Sequence, residues 1–279
     1  MTHSLRGRLR LGPGPVNLLG YPTDAKYGAP GGKNRTTADL LATGTVLAAQ
    51  QEMLFANADS GGRNVLLVLQ GTDTSGKDGV VRHVVGQVGP AGVKITSFKK
   101  PTPAEAAHHF LWRVRRALPG PGLIGVFNRS HYEDVLITRV HDWIDEPTWL
   151  QRIDEINSFE ADLVDSGTTI IKCFLHISYA TQRERLVERL DDPTKYWKFN
   201  PGDLDERARW SDYQSVYAQV LERTSTDVAP WYVIPSDRKW YRNWAIGKLL
   251  ADSLLDLDLE YPPADFDIAD ARSRLQPPY

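Results

Sequence analysis

Short apolar runs punctuate the chain at 65–69, 93–98, 123–127, 169–176 and 231–234, most of them flanked by Gly, Pro or Asn. Runs of that length suit strands of a buried sheet. The segments between them carry helix signals. Thr36 or Thr37 can cap a helix reaching about Asn57 through Leu40, Leu41, Val46, Leu47, Leu54 and Phe55. Val80–Val88 can form a helix directly after the first run. Thr102-Pro-Ala-Glu105 reads as an N-cap, a proline at the first helical position and the returning Glu of a capping box, opening a helix to about Leu118. Further helices are predicted from Glu146 to about Asp165, from the Ser178 cap to Leu190, from the Asp203 cap to about Glu222, and over Lys239–Leu255. Strand and helix alternate along the whole chain. The predicted fold is therefore α/β, in three layers, with a five-stranded parallel sheet covered by helices on both faces.

The pattern weakens in three places. Residues 1–35 are rich in Gly, Pro and Arg without steady periodicity and are expected to be an irregular arm; residues 259–279 form an acidic, Pro-containing tail. Within the main domain, 36–258, the stretch at about 189–215 mixes helix breakers with Lys195, Lys198 and exposed-looking aromatics. A long polar connection of this kind predicts a lid.

Composition narrows the function classes. Lys and Arg total 33 against 35 Asp and Glu, so no global basic field points to nucleic acid or an anionic membrane. Neither partner is expected. The single cysteine, Cys173, lies in a strand-like run and reads as a buried inert thiol. With no charged-then-apolar leader and no long uncharged apolar run, a cytoplasmic location is the expectation.

Candidate chemistry begins where the first apolar run breaks. Gly71-Thr-Asp-Thr-Ser-Gly-Lys77 has the G-x-x-x-x-G-K spacing of a phosphate-binding loop set between strand and helix. Gly71 and Gly76 permit backbone angles that turn amides toward an anion, and Lys77 adds a mobile charge. Thr72, Thr74, Ser75 and Gly79 complete the loop. After Lys77 stands Asp78, where such loops usually place a hydroxyl on magnesium, so a protein ligand must come from elsewhere; Asp73 is the nearest candidate. Between Lys94 and Arg116 there are six basic residues and one acidic. Lys99 and Lys100 follow Phe98 at a predicted strand end, the edge where open α/β sheets bind ligands. The third run ends at Asn128, followed by Arg129, Glu133, Asp134 and Arg139.

The chain resembles the family-2 polyphosphate kinases, P-loop enzymes whose core is similar to thymidylate kinase. The resemblance spans about Gly28 to Leu250. It rests on Gln70-Gly-Thr-Asp-Thr-Ser-Gly-Lys-Asp-Gly79, Ser97-Phe-Lys-Lys-Pro-Thr102, His109-Phe-Leu-Trp-Arg113, Phe127-Asn-Arg-Ser-His-Tyr-Glu-Asp-Val135, Tyr196-Trp-Lys-Phe199 with Arg207 and Trp210, and Asp237-Arg-Lys-Trp-Tyr-Arg242. It implies a P-loop kinase fold with a helical lid and a reversible transfer of the terminal phosphate of inorganic polyphosphate to adenine nucleotides. The Asn128-to-Asp134 block is similar to the class III subgroup, which phosphorylates both AMP and ADP. The implied catalytic set is Asp73, Lys77, Arg129, Glu133 and Asp134, with Asp73 and Asp134 binding Mg²⁺, for which Mn²⁺ can substitute. Arg82, Phe98, Lys99, Lys100, Asn128, Arg139, Arg189, Lys198 and Arg207 are expected to bind polyphosphate or nucleotide. Relatives imply a homodimer or homotetramer. An ATP-dependent nucleoside monophosphate kinase and a non-catalytic phosphate- or nucleic-acid-binding P-loop protein are the competing readings.

Overall fold

The computed structural model describes residues 4–275. Its five strands are β1 (Asn64–Gln70), β2 (Val93–Ser97), β3 (Ile124–Asn128), β4 (Thr168–His176) and β5 (Trp231–Pro235). They form one sheet of order β2-β3-β1-β4-β5, and every pairing is parallel. Central β1 is paired on both edges, Val65 opposite Ile124 on one side and Thr169 on the other, and all of its residues are buried. Burial on both faces explains its unbroken apolar run.

Two cores flank the sheet, and the two-residue period of β1 divides its side chains between them. Val65, Leu67 and Leu69 pack with Leu47, Leu54, Trp244 and Ile246 from helices Lys33–Ala56 and Lys239–Leu255. Leu66 and Val68 pack with Trp149, Phe159, Tyr217 and Trp231, largely from helices Glu146–Asp165 and Trp210–Thr224. The connection leaving β1 runs toward β2, whereas that leaving β4 runs toward β5. A crevice therefore opens at the C-terminal edge of these two neighbouring strands.

Several predicted elements are redrawn. The described part of the arm, residues 4–35, lies against its own domain. Helix Leu5–Leu9 leads into a bridge between Arg10 and Tyr232, the Leu11 amide donates to the Trp231 carbonyl at 2.8 Å, and Leu9, Leu11 and Leu18 are buried. The arm thus covers the outer edge of β5. The Thr102 capping box forms, but its helix ends at Ala106 and a second runs from Trp112 to Ala117. Residues 103–109 are almost wholly exposed, so no apolar stripe sustains a continuous helix there. The lid is also broken, into a 3₁₀ turn (Pro193–Lys198), helix Gly202–Ala208 and helix Trp210–Thr224; Asp203 lies inside the first of those helices instead of capping it. Helix Glu133–Val140 has no counterpart among the predicted elements. Among the described residues no helix is long and apolar enough to cross a membrane.

Candidate active site

The loop leaving β1 folds back over the sheet edge and enters helix Lys77–His83. Its glycines answer to specific neighbours. Gly71 has φ 151°, and a Cβ there would lie 2.7 Å from the Leu175 carbonyl oxygen. Gly76 has φ 104°, and a Cβ would lie 1.8 Å from Arg242 Nη1. Thr74 holds φ 64° without being glycine, a strained conformation of the kind found at binding loops. Its hydroxyl oxygen is buried without a partner.

Lys77 is folded into this loop, Nζ donating to the Gly71 carbonyl at 2.6 Å and to that of Thr72 at 3.3 Å. Burial, and then the Arg129 charge, pull its pKa down to about 8 against the opposing pull of Asp73, Glu133 and Asp78. Asp78 accepts a hydrogen bond from Asn128 Nδ2 at 2.7 Å, tying the loop helix to the end of β3. Arg129 follows with φ 61°, its amide held by the Leu69 carbonyl, and its guanidinium donates to Asp73 Oδ1 at 2.7 Å. Burial works against the Arg129 charge, but Glu133 and Asp73 more than reverse it, so its pKa moves upward. Glu133 opens the next helix. Burial raises its carboxyl pKa, against the attraction of Arg129 and Lys77.

Two cavities meet here. The larger is walled by the loop, the Ser97–Lys100 segment at the end of β2, Asn128 and the lid. Nine cationic side chains line it against four carboxylates, which suits a polyanion. The smaller is walled by Gly71, Thr72, Glu133, Ile137, Gln182, Glu206 and the aromatic Trp210, Tyr213 and Tyr217. Asp73 and Arg129 belong to both walls.

The crevice gathers most of the predicted residues, including Lys77, Phe98, Lys99, Lys100, Asn128, Arg189 and Lys198 in the larger cavity and Glu133 in the smaller. Others lie elsewhere. Ser75 is buried beneath the loop, and Arg82 is exposed outside both walls. The expected second metal carboxylate, Asp134, is also outside both walls. Arg113 donates to it at 3.4 Å while holding the Lys99 carbonyl at 2.7 Å, so Asp134 supports the cavity wall from behind. Arg139 lies 5.5 Å over the Trp149 ring and pairs with Glu146. Arg207 stacks 3.4 Å over Tyr179 and donates to Gln182 Oε1.

Arg185, Lys195 and Lys239 in the basic wall and Glu206, Tyr213 and Tyr217 in the aromatic one lie outside the expected site set. Arg185 and Lys239 read as ordinary polar positions of amphipathic helices. Lys195 was signalled only by its place among the lid cations.

A family model described as Polyphosphate kinase 2 (PPK2) matches residues 33–261. The chain belongs to the polyphosphate kinase 2 family. Among its relatives, the AMP/ADP-polyphosphate phosphotransferase of Meiothermus ruber is 45% identical over 249 residues, covering 89% of this chain and 92% of that protein. The ADP-polyphosphate phosphotransferase of Rhodopseudomonas palustris is 41% identical, covering 77% and 78%. The crystal structure of polyphosphate kinase 2 from Arthrobacter aurescens superposes with a TM-score of 0.95 at 46% identity, over 98% of this chain and 97% of that one. The fold is therefore that of a polyphosphate kinase 2 enzyme.

Proposed function

We propose that the chain moves the terminal phosphate of inorganic polyphosphate to AMP and to ADP, giving ADP and ATP, and that the reaction is reversible. One observation carries this reading: a long basic cavity and a compact aromatic one share Asp73 and Arg129. Polyphosphate occupies the first and the nucleotide the second, so donor and acceptor phosphates meet at the shared wall. The acceptor oxygen attacks the terminal phosphorus, and the bond from that phosphorus to the bridging oxygen breaks, leaving the shortened chain with the charge. Two anions must approach, so positioning and charge stabilisation make up the catalysis. Lys77 and Arg129 hold the transferring group, and Lys99, Arg189 and Lys198 hold the chain behind it. Glu133 faces the acceptor.

Mg²⁺ fits this site through Asp73. Among the described residues no group of three or more His, Cys, Asp or Glu could hold a metal, but Mg²⁺ is commonly bound by one or two carboxylates together with substrate phosphates. Bound there, it would neutralise phosphate charge. Mn²⁺ serves in the same role. A cytoplasmic setting and a homo-oligomer belong to the same reading.

Incubation with AMP, Mg²⁺ and either polyphosphate or ATP tests the assignment. Formation of ADP and then ATP from polyphosphate supports it. ADP formed only when ATP is supplied would make the chain an ATP-dependent nucleotide kinase instead.

A further inference from the structure

Three consecutive carbonyls of the phosphate loop are held by side chains from behind. Gln182 Nε2 donates to the Asp73 carbonyl at 3.3 Å, Arg185 Nη1 to that of Thr74 at 2.8 Å, and Arg242 Nη1 to that of Ser75 at 3.0 Å. Among the described residues no peptide is cis, and in a trans peptide the carbonyl and the following N–H point in opposite directions. Pulling these carbonyls back therefore turns the Thr74 and Gly76 amides the other way, and both residues line the basic cavity. The amide cradle is set by helices Tyr179–Leu190 and Lys239–Leu255.

One of the three struts continues into the lid. Arg207, on lid helix Gly202–Ala208, donates through Nη1 to Gln182 Oε1 at 2.8 Å and to the Tyr179 carbonyl at 2.9 Å. Arg207 offers only donors, so it fixes the Gln182 oxygen toward the lid and the nitrogen toward Asp73. Gln182 is 3% exposed and is engaged at both ends. We propose that Gln182 is a positioning residue that couples the lid, through Arg207, to the Asp73 peptide of the phosphate loop. A lid seated over its substrates then holds the loop in its working shape, and a displaced lid releases it. The proposal rests on the phosphotransferase reading above.

A double-mutant cycle on the full chain tests it. Gln182→Leu removes both links, Arg207→Leu removes the lid link, and Gln182→Glu still accepts from Arg207 but cannot donate to the carbonyl. Each single change is expected to lower kcat roughly tenfold, Arg207→Leu with nucleotide KM within about twofold, and the Leu/Leu double variant to fall no further than the more impaired single. Hydrogen exchange over residues 71–79 should quicken in folded Arg207→Leu, a change that loss of lid packing alone would not transmit. Multiplicative losses in the cycle, a higher nucleotide KM at unchanged kcat in Arg207→Leu, or unaltered loop exchange would overturn the coupling. If the unmodified chain fails to use polyphosphate, the functional reading fails, and the exchange experiment still decides the strut.

Discussion

Asp73 and Asp134 are expected together as metal ligands on sequence grounds, but the structure puts Asp73 on the crevice wall and Asp134 behind it against Arg113, so one is predicted to affect activity and the other stability. The perturbation is Asp→Asn at each position. Asp134 and its partner Arg113 are 15% and 9% exposed, so removing the carboxylate charge leaves a nearly buried guanidinium without its counter-ion. Breaking a fully buried pair costs about 3–5 kcal/mol. The 3.4 Å separation, the partial exposure and the carboxyl pKa, raised by burial despite Arg113, argue for less than that range, about 2 kcal/mol. For a chain of this size that lowers Tm by roughly 4–8 °C. Asp73 and Arg129 are 24% and 42% exposed, a pair worth at most about 1 kcal/mol to the fold. Asp73→Asn should thus melt within a few degrees of the parent, yet lose about 100- to 1000-fold in kcat, the scale of losing one preorganised electrostatic contact. Calorimetric melting alongside a Mg²⁺ titration of phosphotransfer measures both quantities. An Asp134→Asn protein with unchanged Tm and a shifted Mg²⁺ requirement would refute this division and return Asp134 to the metal site.

Because Lys77 titrates at about 8 and must be cationic to hold phosphate, kcat/KM for polyphosphate should be flat below that pH and fall as pH rises through it. Lys77→Arg should remove the alkaline limb even where it lowers the plateau, as a pH–rate series at saturating nucleotide would show. Glu133→Gln should alter the ratio of AMP to ADP use, read from initial rates with each acceptor, since Glu133 lies in the nucleotide wall; an unchanged ratio argues against its facing the acceptor. Lys172→Met should cost about 3–5 kcal/mol in urea unfolding because it strands Glu160, 2% exposed and paired to Lys172 at 2.5 Å. Adding Glu160→Gln should recover part of that loss. Burial alone would raise the Glu160 pKa, but Lys172 and His131 hold it below the ordinary value, so the pair's stabilisation persists at neutral pH and is lost as pH falls through the folded pKa.

The strands and the phosphate loop were legible because each is encoded locally. β1 needed only a run of apolar residues, and the loop only two glycines and a lysine at fixed spacing. The broken helix between Thr102 and Leu118 was not, since its interruption depends on which residues find a surface to pack against. The same holds at the site. Asp134 and Glu133 are neighbours in sequence, yet successive residues on a helix face about 100° apart, so Glu133 enters the wall of the smaller cavity and Asp134 turns to Arg113. Arg185, and the role of Arg242 within its matching block, were not legible because their targets are backbone carbonyls, which leave no trace in residue types.

The charge pattern of the larger cavity explains how a polyanion site can exist on a chain of net charge −2. Its cations are partly neutralised in place: Arg129 is held by Asp73 at 2.7 Å and Arg189 by Asp203 at 3.2 Å. Burial, reinforced by the Asp73 charge, raises the Asp203 pKa, so that carboxylate carries an electrostatic cost where it stands. If polyphosphate lies here as proposed, it exchanges partners as it binds, drawing on arginines already oriented by carboxylates. Binding strength is then the difference between two sets of ion pairs. That difference is smaller than the cation count suggests, which allows the shortened chain to move on after each transfer. A cavity of unpaired cations would grip its donor and product alike, and tight uniform binding does not raise turnover.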